Sequence, residues 1–300
     1  MVTLVQLRIL DAVRRHGSVT AAAGELHYTQ PSVSHHLARL QSAAGAQLFQ
    51  RVGRGIRLTE AGQVLATRAA EILGRVDAAT AEVATLVGLR AGSVRLAGFA
   101  SALTTLVPRA AELLGQEHPG LELGLTDTHP EEALQLLRAG QVDVAVIFRY
   151  DDTPAEDGLR VDHLLDDPVY LVTPADGAPA ALESHRDARW IAGCERCRRH
   201  LVEVCGRAGF TPRLVSTTDD MVVMQSLVAA GMGVTTIPGL AMRTYRDPDC
   251  GTTRLPEVRR VYAATYGEPP DPPATTALLD ALGRAAEAIR DDGPAAGDST

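Results

Sequence analysis

The sequence predicts an α+β chain in three parts: a small helical domain with a β-hairpin, a long linking helix, and a larger α/β body. Three observations lead to this prediction. Basic residues are concentrated near the amino terminus, a regular apolar repeat follows them, and strand-like and helix-like segments alternate through the rest of the chain. With 300 residues, 45% of them hydrophobic, the chain is long enough for roughly two domains.

Charge is segregated along the chain. All 29 basic residues are arginine, and the formal net charge is -8. Residues 1–60 carry seven arginines against three acidic residues, a net charge of +4, which leaves -12 for residues 61–300. A small basic segment on an acidic body is the electrostatic pattern expected of a DNA-binding domain.

The amino-terminal residues predict three helices. Apolar positions at three-to-four spacing between residues 4 and 15 predict the first, which Gly17 ends. Ser18 or Thr20 caps a short alanine-rich second helix that runs to about residue 27. The third begins in the stretch YTQPSVSHHLARL at residue 29 or 30, with Pro31 in its first turn. Its apolar face is formed by Val33, Leu37 and Leu40, and the opposite face is polar.

A basic hairpin follows the third helix. Strand-like pieces at Leu48–Arg51 and Ile56–Leu58 enclose the turn GRG, with arginine at 51, 54 and 57. Three helices and a basic hairpin are typical of a winged helix-turn-helix domain, which we predict for residues 1–58.

Residues 59–89 predict an uninterrupted linker helix. Apolar residues in this helix are spaced by alternating steps of four and three, the heptad pattern of a coiled coil. They are Leu65, Ala69, Ile72, Val76, Ala79, Val83 and Leu86. The pattern predicts a dimer through residues 65–86; the alternative is a helix packed on its own domain.

Strand and helix signals then alternate over residues 90–291, which predicts parallel α/β sheets in two similar halves. We assign about 90–163 and 268–291 to subdomain I and about 164–267 to subdomain II, an architecture like that of periplasmic binding proteins. Residues 292–300 are small and polar, and we predict a disordered tail.

Together these segments resemble a known family. The stretch SVTAAAGELHYTQPSVSHHLARLQSAAGAQLFQRVGRGIRLTEAGQVL resembles the amino-terminal domain of LysR-type transcriptional regulators. HPGLELGL, LRAGQVDVAV, GFTPRLV and LVAAGMGVTTIP resemble the effector-binding domain of that family, so the likeness covers roughly residues 2–290. The sequence departs from the family pattern at Gln41, usually glutamate, and at His35, often arginine.

The resemblance implies a third helix that reads the major groove, where glutamine can recognise adenine and arginine guanine. The positions that would face DNA are Gln30, Pro31, Ser32, Ser34, His35 and Arg39, with Arg51 and Arg54 on the wing. The alternative is a solvated helix face. A shared metal ion at the adjacent His35 and His36 is excluded, because their side chains diverge by about 100° on a helix.

The resemblance further implies an inverted-repeat DNA site, a dimer or tetramer, and a small-molecule effector bound between the subdomains; RNA polymerase is a further candidate partner. Ligands of open α/β sheets bind beyond the carboxyl ends of the strands. Candidate effector-binding residues there are Ser101, Thr104, Thr128, His129, Phe148, Arg149, Cys194, Thr217 and Thr218. Alternatively, the two last threonines are helix caps, Phe148 is core and Arg149 is a surface residue. An inward Arg149 would favour a carboxylate ligand.

Three of the four cysteines, Cys194, Cys197 and Cys205, lie in the run CERCRRHLVEVC. A redox-sensing thiol, a zinc site that includes His200, and a structural or pocket-lining role are the alternatives. Apart from these alternatives we expect no metal and no cofactor.

The sequence lacks the common signatures of enzymes, such as G-x-S-x-G, a P-loop or H-E-x-x-H. It also lacks an apolar run of membrane-spanning length and the apolar core of a signal peptide. We therefore expect a cytoplasmic regulator; the competing class is an enzyme or a small-molecule-binding protein without DNA function.

Overall fold

The computed structural model describes residues 1–52, 55–86, 92–150, 158–175, 181–267 and 269–291. The chain divides into two compact units: the first is residues 1–92 with 134–143, and the second is residues 93–133 with 144–300. Arg54 of the predicted wing and the predicted tail lie outside the described residues. Among the helices that are described, none is both long enough and apolar enough for a membrane span.

The described part of the first unit holds the predicted helices and hairpin. They are α1 (Leu4–His16), α2 (Val19–Glu25), α3 (Gln30–Ala44), β1 (Phe49–Val52), β2 (Gly55–Leu58) and α4 (Glu60–Leu86). Gly17 ends α1 in the left-handed conformation at φ 60°. Ser18 caps α2 and Thr29 caps α3, each accepting a backbone N–H three residues on.

The core of the first unit explains the orientation of α3. Val33, Leu37 and Leu40 are buried against Ile9 and Leu10 of α1, in a cluster that also takes residues from α2, β1 and the start of α4. The winged helix-turn-helix fold is therefore confirmed, with the apolar face of α3 inward and its polar face outward.

Only part of the predicted heptad seam on α4 is exposed. Leu65 and Ala69 pack on the core of the first unit, as in the alternative of a helix packed on its own domain. Farther along, Ile72 is 42% and Val83 59% exposed. These two are apolar side chains with no covering element in the described residues, and the dimer through α4 stays a prediction.

The second unit is built on a six-stranded sheet in the order β4-β3-β5-β10-β6-β9. Its strands are β3 (Ser93–Gly98), β4 (Glu122–Asp127), β5 (Val144–Arg149), β6 (Leu159–Pro174), β9 (Thr235–Pro238) and β10 (Cys250–Tyr266). β3 is parallel to β4 and β5, but β10 is antiparallel to β5 and β6, as β6 is to β9. The prediction of a parallel sheet is confirmed for β3, β4 and β5 and wrong for the other strands, because the two long strands β6 and β10 run in opposite directions through the sheet.

A separate parallel pair, β7 (Arg189–Ala192) and β8 (Arg213–Thr217), completes the strands. The helices of this unit are α5 (Ala100–Leu103), α6 (Leu106–Glu117), α7 (Pro130–Arg138, which continues into the first unit), α8 (Glu195–Arg207), α9 (Met221–Ala229), α10 (Gly239–Thr244) and α11 (Pro273–Asp291). Residues 104 and 105 separate α5 from α6. This break puts a hydroxyl-bearing turn directly after β3.

Candidate functional site

The outer face of α3 carries the side chains that the sequence assigns to DNA. Five of the six are exposed, and Ser32 is half-buried. The Gln30 amide donates a hydrogen bond to the Ser34 hydroxyl at 3.1 Å, so two of these polar groups are already associated. No described carboxylate pairs with Arg39, which leaves its guanidinium available for a phosphate or a base edge.

The two departures from the family pattern have different structural settings. The Gln41 side-chain oxygen accepts the backbone N–H groups of Leu48 and Phe49 at 2.9 and 3.2 Å, so it fixes the hairpin to the end of α3. His35 is exposed, and its ring lies edge-on to that of His36 at 6.2 Å. Gln41 therefore has a structural role, whereas His35 belongs to the exposed face.

The wing is the hairpin of β1 and β2. Arg51 lies opposite Ile56, and Gln50 lies opposite Arg57, whose side chain is exposed. The turn that holds Arg54 is not among the described residues. An arginine-bearing hairpin beside an exposed polar helix is the arrangement that positions a winged domain on the phosphate backbone.

A cavity of ≈ 570 Å³ lies in the second unit, within the size range of small-molecule sites. Its lining contains six of the nine predicted effector-binding residues. These are Ser101, Thr104, Thr128, His129, Phe148 and Cys194. They come together because the carboxyl ends of β3, β4, β5 and β7 meet at one place, as the rule for ligand sites of open sheets predicts.

Polar contacts bridge this cavity between distant segments. The Thr244 hydroxyl contacts that of Thr104 at 3.0 Å, and His129 lies 3.2 Å from the Asp219 carboxylate. Near the cavity, Arg196 of α8 donates to Glu131 of α7 at 3.0 Å. Partial burial raises the pKa of Glu131, but hydrogen bonds and the charge of Arg196 act against it, and the net shift of the pKa is downward. A ligand that enters the cavity would compete with or reinforce contacts of this kind.

Arg259 in the cavity wall belongs to a buried ion pair with Asp167 that sequence reasoning missed. Arg259 and Asp167 are both 1% exposed, and their Nε and Oδ2 atoms are 2.6 Å apart. Arg259 also donates to the Ser101 hydroxyl at 2.6 Å. Its guanidinium lies over the Phe99 and Phe148 rings at 4.8 and 4.7 Å. The pair and the two rings hold the Ser101 hydroxyl and an aromatic surface at the cavity wall.

Three predicted residues do not line the cavity. Arg149 instead lies over the Tyr262 ring at 5.7 Å, so the expectation of a carboxylate contact through Arg149 has no support from the cavity. Thr217 is exposed at the end of β8. The Thr218 hydroxyl accepts the backbone N–H of Asp220, which makes it part of the turn before α9. The N-cap of α9 is Asp220, so the alternative that Thr218 is the helix cap is wrong.

Models of two protein families match the chain. The model described as bacterial regulatory helix-turn-helix protein, lysR family, matches residues 4–63. The model described as LysR substrate binding domain matches residues 88–287, two thirds of the chain. The first match covers α1 to β2, and the second contains every residue of the cavity.

Curated relatives are named as transcriptional regulators. CbbR of Rhodospirillum rubrum is 35% identical over 173 residues, covering 58% of this chain and 56% of that protein. The RuBisCO operon transcriptional regulator of Allochromatium vinosum is 33% identical over 175 residues, with 58% and 57% coverage. The chain thus spans just over half the length of these two relatives. CfxR of Cupriavidus necator is 31% identical over 251 residues, covering 81% of this chain and 78% of that one.

Solved structures agree with the fold. The LysR family transcriptional regulator CbnR superimposes with a TM-score of 0.68 at 20% identity, covering 95% of this chain and 99% of CbnR. Full-length CbnR complexed with its target DNA gives 0.67 at 21% identity, with 95% and 100% coverage. At this identity the likeness to solved structures shows the fold alone, and the family itself is shown by the two family models. The chain belongs to the LysR family of bacterial regulatory helix-turn-helix proteins.

Proposed function

We propose that the protein is a sequence-specific DNA-binding transcriptional regulator of the LysR type, whose DNA binding or bending is modulated by a small-molecule effector. The observation that carries the proposal is α3, whose apolar face is fully enclosed while Gln30, Ser34, His35 and Arg39 are exposed. A helix of this design fits the major groove, where its amide and guanidinium groups pair with base edges.

The wing supports the helix through phosphate contacts. Arg51 and Arg54 would neutralise DNA phosphates and release counterions, so they contribute affinity more than specificity. Replacing both by alanine should reduce the slope of log affinity against log salt by about 2 for each bound domain. An unaltered slope would remove the wing from the interface.

The effector is a small molecule bound in the cavity of the second unit. Hydroxyl groups of Ser101, Thr104 and Thr128 offer hydrogen bonds, and Phe99 and Phe148 offer an apolar surface. Because Thr104–Thr244 and His129–Asp219 join segments far apart in sequence, occupancy can shift the balance between more open and more closed states.

The working form is a dimer that binds an inverted repeat, one winged domain to each half-site. The exposed residues Ile72 and Val83 of α4 are its proposed contact, and the body domains pair again to give a tetramer. RNA polymerase remains a candidate partner. A protein that binds the bacterial chromosome acts in the cytoplasm, which is the location we propose. An enzymatic role is disfavoured because the relatives are named as transcriptional regulators.

The test compares matched variants in gel-shift titrations with an upstream fragment that the wild type retains from host DNA. Gln30→Ala and Arg39→Ala should each abolish discrimination between this fragment and scrambled DNA, because the groups that read base edges are gone. Gln116→Ala and Arg284→Ala are the controls, since both side chains are exposed on helices of the second unit. Undiminished selectivity in the first two variants would refute the assignment of α3.

A further inference from the structure

Two cysteines lie in contact in the wall of the cavity. Cys194 is the N-cap residue of α8, and Cys197 follows one helical turn later, which brings both side chains to the same side. Their sulfur atoms are 3.2 Å apart, and both residues line the cavity as free thiols. A hydroperoxide that enters the cavity therefore meets a vicinal dithiol.

The surroundings give the two thiols different reactivity. A hydrogen bond from the Cys197 thiol is the main cause that lowers the pKa of Cys194 to about 6; the backbone N–H of Cys197 and the charge of His129 add to it, and burial opposes it. The pKa of Cys197 is raised well above its ordinary value by the same bond and by burial. Cys194 is thus the nucleophile, and Cys197 is the thiol held ready to react with it.

Other roles for the cysteine run lose support. Cys205 is fully buried beside Trp190 and Leu201, and burial raises its pKa to about 11. Within the described residues no group of three histidine, cysteine or acidic side chains is placed to hold a metal ion. The reactive unit is the pair, without Cys205 and without zinc.

We propose that Cys194 and Cys197 form a reversible disulfide on reaction with a hydroperoxide, and that this bond is a second input to the effector cavity. The Cys194 thiolate attacks the peroxide, so one oxygen is transferred to sulfur and hydroxide or alkoxide leaves. The Cys197 thiol then attacks the sulfenic acid, forming the S–S bond and releasing water. Two thiols lose two electrons and two protons, and the peroxide takes them up. The regulatory consequence rests on the proposed function; the bond formation does not.

The chain is well suited to locating such a bond, because trypsin cleaves after Arg196, between the two cysteines. Cys194, Cys197, Cys205 and Cys250 each fall in a different tryptic peptide. Full-length reduced protein is treated with one equivalent of hydrogen peroxide, denatured, alkylated and digested with trypsin, and the peptide masses are measured by mass spectrometry. Alkylatable thiols should fall from the four of the sequence to two, with peptides 190–196 and 197–198 joined until dithiothreitol separates them. Four alkylated cysteines, or a bond to the peptide 200–207, would overturn the proposal.

Two variants test the order of events. In Cys197→Ser, oxidation should stop at the sulfenic acid of Cys194, which dimedone traps; in Cys194→Ser, none of the remaining thiols should be lost. Both sites lie at the partly exposed start of α8, and circular dichroism checks the fold. If Cys194→Ser protein loses thiols as fast as wild type, the assigned nucleophile is wrong.

The effect of the disulfide on DNA binding is measured by footprinting on a host DNA fragment that the reduced wild-type protein binds. Peroxide should change the protected bases or the bend for wild type, and leave Cys194→Ser unaffected. A disulfide-bonded protein with an unchanged footprint would overturn this effect alone. If the disulfide forms but the reduced protein retains no DNA, the proposed function fails and the thiol chemistry stands.

Discussion

The buried ion pair of Arg259 and Asp167 gives a quantitative prediction. Changing Arg259 to methionine removes the paired cation and leaves the Asp167 carboxylate with the backbone N–H of Leu240 at 2.8 Å and the charge of Arg243. Burial already raises the pKa of Asp167, and Arg259 acts against that effect. Without the arginine, folding must bury an unpaired carboxylate or protonate it.

The expected cost follows from the burial of both partners. Breaking a fully buried ion pair by removing one member costs about 3–5 kcal/mol, and the two aromatic contacts of the guanidinium place this case at about 4 kcal/mol. With a urea m-value of about 2.5 kcal/mol/M, the unfolding midpoint should fall by about 1.5 M. Arg259→Met combined with Asp167→Leu should recover at least about 2 kcal/mol, because an apolar pair needs no compensation.

The assay is urea unfolding under reducing conditions, followed by fluorescence of Trp190, the one tryptophan of the chain, which is buried in the same unit. Arg284→Ala is the matched control, because Arg284 pairs with Glu117 at the surface and should contribute no more than about 1 kcal/mol. If Arg259→Met and Arg284→Ala lower the stability equally, the reasoning about the buried pair is refuted.

Three further predictions concern other parts of the chain. His200 is stacked on Tyr150 with ring centroids 3.7 Å apart, and burial lowers its pKa to about 4. Between about pH 6.5 and 4 only the unfolded state takes up a proton at this side chain, so the free energy of unfolding decreases as the pH is lowered through this range. His200→Phe should keep the ring stack and reduce the loss of stability at acid pH by roughly 2 kcal/mol. If the stability of variant and wild type falls in parallel as the pH is lowered, this prediction is wrong. Gln41→Leu should destabilise the first unit by about 1–3 kcal/mol by leaving two backbone N–H groups of the hairpin without an acceptor, whereas Gln41→Glu should not; equal unfolding midpoints would exclude that role. Ile72→Glu with Val83→Glu should halve the mass of the assembly in sedimentation, because only the pairing of the body domains remains; an unchanged mass would move the interface elsewhere.

Local pattern was sufficient for the first unit and for much of the cavity. The spacing of Val33, Leu37 and Leu40 and the cap at Thr29 determine how α3 is oriented, and all of these lie within a dozen residues. The cavity residues that were predicted correctly to lie together share one property: each follows or ends a short strand. Their roles in binding stay predictions.

Longer-range features escaped prediction for physical reasons. Arg259 sits in the pair Arg259–Arg260, and nothing nearby in sequence indicates that it meets Asp167, 92 residues away. Asp167 itself lies in the Asp-Asp-Pro stretch at 166–168, which interrupts the apolar alternation of β6 and gives no sign of a buried position. Ala69 fits a heptad seam and an intradomain contact equally well, because a small side chain suits both.

The central claim is that α3 reads DNA as part of a paired regulator, and one measurement tests it most directly. Purified full-length protein is mixed with sheared host genomic DNA, and the retained fragments are sequenced for wild type and for Arg39→Ala. We predict that the wild type enriches a small set of upstream fragments that share an inverted repeat, with half-sites spaced by about one or more helical turns of 10 base pairs. The variant should lose that enrichment. Uniform retention of genomic DNA by the wild type, or the same enriched motif with Arg39→Ala, would contradict the account.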